Sequence, residues 1–377
     1  MATHSVKASV LHGAKDLRVE DRPLPAVATT DVLVAVKATG LCGSDLHYFN
    51  HYRNGDILVQ EPLTLGHESA GVVMAVAGTS SSLQVGDRVA LEVGQPCEAC
   101  ELCLEGRYNI CRAMKFRSSA KAFPHAQGTL QEAVLHPARW CHKLPKSVSL
   151  ELGALAEPLS VALHASDRAS LPEGSTVLVM GAGAVGLLCA AISKVVTKAT
   201  VVIADIQEER VKFAVENGFA DAYVVVPMKR PETVADKLAF AREVADMAKA
   251  AEVGGRAVGE VKGTYECTGV ESCLQSAIYA TAPGGKIMLI GMGNPIQTLP
   301  ISAASLREVD LVGVFRYANT YPRVIELLAK DPLLATMAAK LITQRFSGMD
   351  SIPQAFGMAG KVKDEEGNLV LKVMVDM

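Results

Sequence analysis

A chain of 377 residues is too long for one ordinary hydrophobic core, so two domains are expected. About half of the residues are apolar (49%) and 20% are charged, which predicts a folded globular protein and excludes intrinsic disorder. The net charge of -3, without any run of lysine and arginine interleaved with aromatic residues, argues against a nucleic-acid partner.

Targeting and membrane segments are not expected either. Residues 1–7 lack the apolar core of a signal peptide, and no segment offers ~18 uninterrupted apolar residues for a membrane span. We therefore expect a cytoplasmic protein without a membrane partner. In such a chain, nine cysteines favour metal binding over disulfides.

The first 159 residues alternate short β-rich runs with glycine and proline. Runs of this kind lie at residues 31–36, 70–76 and 86–91. This part of the chain predicts an irregular β domain.

From about residue 160, strand-like and helix-like segments alternate. The predicted strands are residues 176–180, 199–204, 263–266, 286–290 and 309–314, and the predicted helices include residues 187–196 and 208–216. This alternation predicts an α/β domain built on a doubly wound parallel sheet. Residues 227–263 form a charged, alanine-rich stretch that is longer than a plain crossover needs. After residue 315 the texture is mixed, and residues 368–374 are strand-like.

Four cysteines fall within fifteen residues, at Cys97, Cys100, Cys103 and Cys111. Four thiolates at this spacing suit a closed tetrahedral Zn²⁺ site, which has no open position for chemistry and stabilises a loop with little core of its own. The alternatives are free or disulfide-paired cysteines and a redox dithiol, but two overlapping CxxC units plus a fourth cysteine favour a metal. The prediction is one structural zinc.

A second set of metal ligands is spread along the chain. Cys42 and His67 lie in separate glycine-flanked turns and supply one thiolate and one imidazole. A catalytic zinc needs about three protein ligands and one exchangeable position. Two acids compete for the third place: Glu68, which adjoins His67, and Glu157, which lies in an apolar run where an unpaired carboxylate is costly.

A glycine turn, Gly181-Ala182-Gly183-Ala184-Val185-Gly186, follows a predicted strand and opens a predicted helix. In that context the glycines allow a tight turn and let backbone N–H groups approach a pyrophosphate. Asp205 ends the next strand, where a carboxylate accepts from both ribose hydroxyls and repels a 2′-phosphate. Arg210 follows it and is expected to cover the adenine. NAD is therefore favoured over NADP.

These motifs resemble those of the zinc-containing medium-chain dehydrogenases and, among them, the polyol branch of sorbitol, xylitol and L-arabinitol dehydrogenases. The resemblance extends over essentially the whole chain. The segments that carry it are residues 40–47, 65–68, 97–111, 157–161, 181–186, 266–269 and 313–317, of which the last is the most specific to the branch. The four-cysteine segment separates this chain from polyol dehydrogenases that lack a structural zinc.

The resemblance implies an architecture. Residues 1–159 and 315–377 would form a GroES-like catalytic domain, and residues 160–314 a Rossmann domain that binds NAD. It also implies a homotetramer.

The resemblance assigns roles to individual residues as well. The catalytic zinc would be held by Cys42, His67 and Glu68, with Glu157 nearby as a further ligand or through a water. Asp45 would orient His67, and Ser44 and His47 would lie on the proton path. Contacts to the polyol would come from Tyr48, Glu157, Arg316 and Tyr317. The NAD site would be lined by the glycine turn, including Val185, and by Asp205, Ile206, Arg210, Ile290, Gly291, Met292, Val314, Phe315 and Arg316.

The predicted function is therefore the zinc-dependent, NAD-linked oxidation of a secondary hydroxyl of a sugar alcohol to the ketose. A second, adjacent hydroxyl of a sugar alcohol can reach zinc or Glu157, and Arg316 and Tyr317 can bind groups further along the substrate. A planar hydrophobic substrate would have less use for these polar groups. One alternative is a dehydrogenase for another small alcohol or a vicinal diol. A non-enzymatic protein that binds NAD and zinc is the other.

Overall fold

The computed structural model describes residues 5–24, 28–78 and 82–377. Residues 1–4, with which the predicted catalytic domain begins, lie outside this part. The chain divides into two compact units, one of Met1–Pro158 with Ala318–Met377 and one of Leu159–Tyr317. The domain limits expected from the sequence, 159 and 314, stay a prediction. Within the described ranges, every helix is too short or too polar to cross a bilayer.

The first unit begins with strands and contains few helices. Its elements up to the start of the second unit are β1 (Ser5–Gly13), β2 (Asp16–Pro23), β3 (Asp31–Gly40), α1 (Gly43–His51), β4 (Arg53–Asn54), β5 (Ile57–Leu58), β6 (Leu63–Thr64), β7 (Glu68–Val76), β8 (Arg88–Leu91), β9 (Gly94–Gln95), α2 (Glu101–Leu104), β10 (Lys115–Phe116), β11 (Ala133–Pro137), β12 (Cys141–Lys143), α3 (Leu150–Ala154) and α4 (Ala156–Ala169), the last continuing into the second unit.

The second unit alternates strands and helices. Its elements are β13 (Thr176–Met180), α5 (Ala184–Val196), β14 (Thr200–Asp205), α6 (Glu208–Glu216), β15 (Ala222–Val225), α7 (Val234–Ala250), β16 (Glu252–Val253), β17 (Arg256–Ala257), β18 (Val261–Glu266), α8 (Glu271–Ala280), β19 (Thr281–Leu289), α9 (Ile301–Ser305) and β20 (Asp310–Gly313).

The chain then returns to the first unit. The remaining elements are α10 (Tyr321–Lys330), α11 (Pro332–Leu341), β21 (Ile342–Ser347), α12 (Ile352–Ala359) and β22 (Lys372–Asp376).

The first unit is organised around a mostly antiparallel sheet in the order β12-β8-β7-β3-β22-β21, with β11 also paired to β3. The C-terminal strand β22 therefore lies beside β3, so residues more than 300 positions apart in sequence are neighbours. A core of buried apolar side chains, including Leu63, Leu130 and Phe356, packs around α1, α12 and β22. This arrangement agrees with the predicted β domain, and it brings β3, β7 and β22 together at one point.

The second unit contains six parallel strands in the order β15-β14-β13-β18-β19-β20. Counted along the chain this order is 3-2-1-4-5-6, the doubly wound arrangement, so the predicted fold class is confirmed. The strand order reverses between β13 and β18, and ligands of such sheets bind at the carboxyl ends of the strands at that reversal. The glycine turn follows β13 directly.

Two segments differ from a simple reading of the sequence. The charged stretch 227–263 contains the long helix α7 and the β16–β17 hairpin. The last strand begins at Lys372, four residues later than the prediction of residue 368. Asn368 is instead held in a turn, because its backbone N–H donates to Asp364 Oδ1 at 2.8 Å and Gly367 adopts a φ of +87°.

A buried histidine in β11 gives the first unit a pH-dependent stability. His136 is fully buried; its Nδ1 accepts from Arg117 Nε at 3.1 Å and its Nε2 donates to Glu92 O at 3.0 Å. Burial and the Arg117 charge hold the pKa of His136 well below its ordinary value of 6.5. Below pH 6.5 the unfolded chain therefore binds a proton at His136 that the folded chain does not bind. The free energy of unfolding consequently falls as the pH falls.

This effect can be measured with a His136→Gln variant. Urea unfolding at pH 7.5 and 5.5 should show that the wild-type chain loses about 1 kcal/mol more than the variant over this interval. His51→Gln, at the exposed end of α1, is the control and should behave as the wild type. If the free energy of unfolding depends on pH in the same way for the wild type and His136→Gln, His136 is not the source of the effect.

Candidate metal centres and nucleotide site

The four cysteines of the 97–111 segment converge on one point. Ligand atoms of Cys97, Cys100, Cys103 and Cys111 all lie within 4.8 Å of one another. Backbone N–H groups also face the cluster: that of Cys97 donates to Cys111 Sγ at 3.3 Å, and those of Ala99 and Cys100 lower the pKa of the Cys97 thiol to about 6. These donors therefore favour the thiolate of Cys97, whereas burial and the neighbouring Cys100 raise the pKa of the Cys103 thiol to about 12.

The spacing of these sulfurs fits a tetrahedral ion. Zinc–sulfur bonds of ~2.3 Å place the sulfurs of a tetrahedron about 3.8 Å apart. The measured separations are 3.9 Å for Cys97–Cys103, 3.5 Å for Cys100–Cys103 and 3.9 Å for Cys100–Cys111. The four sulfurs thus fit a closed zinc site, in which no coordination position is left open for a substrate.

Zinc content offers a direct test of this site. A Cys100→Ser variant should contain one zinc per subunit fewer than the wild type, and its melting temperature should fall because metal binding supplies folding energy to the segment. Cys273→Ser, a half-buried cysteine of the second unit, should keep the full zinc content. An unchanged zinc content in Cys100→Ser, measured by atomic emission, would overturn the structural-zinc assignment.

The second candidate centre is assembled from neighbouring strands. Cys42 precedes α1, and Glu68 opens β7 directly after His67. Because Glu68 is paired with Gly40 of β3, the two glycine-flanked turns meet, and the ligand atoms of Cys42, His67 and Glu68 lie within 4.8 Å of one another. One sulfur, one nitrogen and one oxygen donor match an open zinc site.

Asp45 orients the imidazole of this centre. Its carboxylate is fully buried and accepts from His67 Nδ1 at 3.1 Å, Gly66 N at 3.2 Å and Cys42 N at 3.2 Å. Nδ1 is therefore occupied, and Nε2 remains as the ligand atom. Burial alone lowers the pKa of His67, but Asp45 and Cys42 raise it well above its ordinary value.

The residues predicted for the proton path lie on α1. Ser44 Oγ is 3.4 Å from Cys42 Sγ and 3.5 Å from His67 Nε2, so it lies beside the metal ligands. His47 is exposed and lies three residues further on, which places it on the same side of the helix. Tyr48 is buried in the core and its hydroxyl accepts from Ala120 N at 3.2 Å.

The two acids that competed for the third ligand position have different surroundings. Glu68 belongs to the donor cluster, whereas Glu157 is buried in the first turn of α4. Lys372 is a residue of this site that sequence reasoning missed. Lys372 Nζ is 2.8 Å from both carboxylate oxygens of Glu68, and the charge of Glu157 also acts on it. The signal in the sequence that pointed to Lys372 is that it is the single lysine in the apolar run 369–375.

Ser118 is a second missed residue, and it leads to a prediction. Its backbone has a φ of +64°, and its hydroxyl donates to Asp45 Oδ1 at 2.6 Å. Ser118→Gly removes this hydroxyl without backbone strain, and should weaken zinc binding at the Cys42 centre about tenfold because Asp45 then holds His67 less firmly. The control is Ser119→Ala, because the hydroxyl of Ser119 accepts from Lys121 N.

Chelator competition measures both variants. The prediction fails if Ser118→Gly binds zinc within about twofold of the wild type, or if Ser119→Ala weakens it equally.

The glycine turn has the geometry of a phosphate-binding loop. Gly181 has a φ of +98°, and a Cβ on Gly186 would lie 1.9 Å from Gly181 O, so both positions require glycine. A Cβ on Gly183 would meet no atom within 4 Å, which leaves open space over the first turn of α5. That turn carries no acidic side chain, so the helix N-terminus suits an anion.

Asp205 and Arg210 lie beside this turn. Asp205 Oδ2 accepts from Ala182 N at 2.7 Å, so the carboxylate is fixed directly under the glycine turn, where a ribose would lie. Arg210 Nε is buried and finds no hydrogen-bond partner among the described residues. Ile206, between them, is half exposed. These features fit an adenosine group.

A third missed residue, Glu266, organises the other side of the strand-order reversal. At the end of β18, its carboxylate accepts from the N–H groups of Thr268 and Gly269, while its carbonyl accepts from Ile290 N and Gly291 N. Thr268 Cγ2 would lie 2.8 Å from a Cβ on Gly181, so the segment approaches the glycine turn closely.

The remaining predicted residues follow β19 and β20. Met292 is largely exposed, Val314 N donates to Leu289 O at 3.1 Å, and Phe315 is partly exposed. The Arg316 guanidinium lies 4.7 Å from the centre of the Phe315 ring, and its backbone has a φ of +53°. Tyr317 is buried.

Comparisons with known proteins bear on the whole chain. Residues 28–146 match the alcohol dehydrogenase GroES-like domain, and residues 184–330 match the zinc-binding dehydrogenase family. A sorbitol dehydrogenase from Gallus gallus is 41% identical, with 92% of this chain and 91% of the relative covered. An L-idonate 5-dehydrogenase from Vitis vinifera is 36% identical, with 98% and 94% covered. The crystal structure of 2R,3R-butanediol dehydrogenase from Bacillus subtilis is similar with a TM-score of 0.80 and 28% identity, with 99% of this chain and 100% of that chain covered.

A doubly wound sheet with a glycine turn, joined in one chain to thiolate-rich metal centres, is typical of a zinc-dependent dehydrogenase. The matches to both family models and to relatives at about 40% identity agree with this class. The chain belongs to the zinc-dependent medium-chain dehydrogenases, in their polyol branch.

Proposed function

We propose that this chain is a zinc-dependent, NAD-linked polyol dehydrogenase that oxidises a secondary hydroxyl of a sugar alcohol to the ketose. The observation that carries the proposal is the convergence of Cys42, His67 and Glu68, with their ligand atoms within 4.8 Å, in a chain 41% identical to a sorbitol dehydrogenase. The mixed donor set leaves room for a substrate oxygen, which a four-thiolate site does not.

The proposal divides the metal ligands into two sets. Cys42, His67 and Glu68 hold the catalytic zinc, with Glu157 nearby as a further ligand or through a water. The structural zinc is held by Cys97, Cys100, Cys103 and Cys111. The domain limits proposed with this assignment are 1–159 with 315–377 for catalysis and 160–314 for NAD.

The chemistry of such a centre requires a Lewis acid and a hydride acceptor, which bound zinc and the nicotinamide of NAD supply. The chain's own residues perform the other tasks. Asp45 fixes the orientation of the His67 ring, and Ser44, whose Oγ lies within 3.5 Å of both Cys42 Sγ and His67 Nε2, takes the hydroxyl proton and passes it to His47. The exposed position of His47 allows it to release that proton to water.

Substrate and cofactor contacts complete the proposed site. Tyr48, Glu157, Arg316 and Tyr317 would contact the polyol. The nucleotide would be held by Gly181, Gly183, Val185, Gly186, Asp205, Ile206, Arg210, Ile290, Gly291, Met292, Val314, Phe315 and Arg316. NAD is preferred because the fixed Asp205 carboxylate accepts from ribose hydroxyls and repels a 2′-phosphate.

The proposal extends to assembly and location. The strand β20 ends the six-stranded sheet order, and Ile296, Ile301 and Leu306, which precede it in sequence, are more than half exposed. An exposed sheet edge and exposed apolar side chains support association between copies of the chain, which we propose to be a homotetramer. A cytoplasmic location is supported by the four-thiolate cluster, since reduced thiols persist in reducing compartments.

A second candidate is favoured by one observation. The similar fold of 2R,3R-butanediol dehydrogenase makes a vicinal diol or another small alcohol the alternative substrate. A non-enzymatic protein that binds NAD and zinc comes last, because the fully formed Cys42 centre would have no use in it.

A substrate panel separates these functions. We expect zinc-loaded protein to form NADH with sorbitol, xylitol or L-arabinitol, with a higher kcat/KM than with butane-2,3-diol and with NADP giving much slower turnover. Activity confined to short diols would favour the alternative. No NADH from any alcohol would overturn the proposal.

A further inference from the structure

Lys372 is a buried cation in direct contact with a proposed metal ligand. Its side chain is 4% exposed, and its Nζ lies 2.8 Å from each carboxylate oxygen of Glu68 and 3.1 Å from Leu41 O. A symmetric contact with both oxygens is a charge-assisted pair in a low-dielectric setting, where the loss of either partner leaves the other charge buried and uncompensated.

The strand register places this lysine. Glu68 of β7 faces Gly40 of β3, and Met374 of β22 faces Gly40 from the other side. Lys372 lies two residues before Met374, so the two-residue period of a strand directs its side chain to the same face as that of Met374. The pairing is thus set by the backbone of the sheet.

Gly40 makes room for the pair. A Cβ at this position would lie 2.3 Å from Glu68 Oε2 and 3.3 Å from Glu68 Cβ. The Glu68 side chain therefore lies across the bare backbone of β3, and it reaches both Lys372 and the donor cluster.

Lys372 also interacts with more groups than Glu68 alone. Besides Glu68, the sulfur of Cys42 and the carboxylate of Glu157 raise the pKa of this ammonium group. In the loaded site, the ammonium and the metal would share the same carboxylate. A carboxylate whose charge is already shared with a cation is a weaker metal ligand.

We propose that Lys372 is a positioning residue that holds Glu68 and keeps its bond to the catalytic metal weak enough to break. This inference rests on the proposed function, and it adds a role for Lys372: the lysine keeps the exchangeable position available to the substrate. Without the lysine, Glu68 has the metal as its one cationic partner, and the thiolate and two carboxylates bind the dication more tightly.

The test compares Lys372→Met with the wild type in zinc-loaded protein. We expect the zinc of the Cys42 centre, identified by its loss in Cys42→Ser, to pass to a chelator at least about tenfold more slowly. The cobalt-substituted variant should show shifted visible absorption bands, and kcat should fall more than KM changes. Lys372→Arg should recover much of the wild-type behaviour. Lys361→Met, which removes an exposed lysine, is the matched control.

A double variant shows whether Lys372 acts through Glu68. In a Glu68→Gln background, adding Lys372→Met should leave zinc release and the cobalt spectrum nearly unchanged, because the carboxylate is gone. Lys372→Gln, which retains a hydrogen-bond donor, provides a second neutral variant if Lys372→Met does not fold. It should shift zinc release in the same direction.

Two results would overturn the inference. The first is zinc release from Lys372→Met and Lys372→Gln at or above the wild-type rate with an unchanged cobalt spectrum. The second is an effect of Lys372→Met that persists in full in the Glu68→Gln background. In either case, the proposed function is retained if the wild-type chain binds zinc and forms NADH. If the wild-type chain does neither, both the proposed function and the inference about Lys372 are overturned.

Discussion

Replacing Cys42 with serine is expected to lower kcat/KM for a polyol at least about a thousandfold, equivalent to about 4 kcal/mol of transition-state stabilisation. The serine hydroxyl stays protonated near neutral pH and is a poor zinc ligand, so the centre formed with His67 and Glu68 loses its metal. Steady-state NADH formation and zinc content measure the effect together.

The zinc content makes this result specific. Cys42→Ser should keep the one zinc of the four-cysteine site and a melting temperature close to that of the wild type. The Cys273→Ser control should retain both zinc ions and near-normal turnover. A Cys42→Ser variant with wild-type kcat/KM would place the chemistry elsewhere.

Removing the charge of Asp205 is expected to change the cofactor preference. In Asp205→Ala the ratio of kcat/KM for NAD over NADP should fall about a hundredfold or more, because the ribose hydroxyls lose a charged acceptor and a 2′-phosphate is no longer repelled. Initial rates with both cofactors at a fixed polyol concentration give the ratio.

The structure also suggests how to separate charge from turn geometry. Asp205 Oδ2 accepts from Ala182 N and Oδ1 accepts from Gln207 N, so Asp205→Asn, whose amide has a single acceptor oxygen, keeps one of these hydrogen bonds while it loses the charge. The asparagine variant should gain NADP activity and be less destabilised than Asp205→Ala, because it retains one of the two hydrogen bonds. If both variants keep the wild-type preference, another residue determines the cofactor.

Local patterns in the sequence predicted much of the fold and of the candidate site. The cysteine spacing and the glycine turn each lie within a short segment, so their geometry follows from a few backbone angles. The predicted helix 208–216 and strand 176–180 coincide with α6 and β13, because apolar periodicity decides such elements. The parallel sheet followed from the alternation of these elements.

The contributions of Lys372, Ser118 and Glu266 could not be predicted in the same way. Lys372 and Glu68 are 304 residues apart in sequence, and only the pairing of β22 with β3 brings them together. Ser118 reaches Asp45 from a left-handed backbone that its loop sequence does not reveal. For Glu266, the segment was recognised but its hydrogen bonds were not.

The choice of third ligand depends on the same long-range geometry. Glu68 adjoins His67 and Glu157 lies in an apolar run, and neither local pattern decides which acid is the ligand, since both acids are buried. The register of β7 against β3 places Glu68 in the donor cluster, whereas α4 places Glu157 within reach of the Lys372 charge.

Deuterium transfer tests the central claim most directly. The alditol with the highest kcat/KM is labelled with deuterium at every secondary carbon, and the products are analysed by mass spectrometry and NMR after turnover with NAD. The account predicts a ketose and one deuterium on the reduced nicotinamide for each molecule oxidised. An aldose product with deuterium retained at C2 would contradict the proposed oxidation of a secondary hydroxyl.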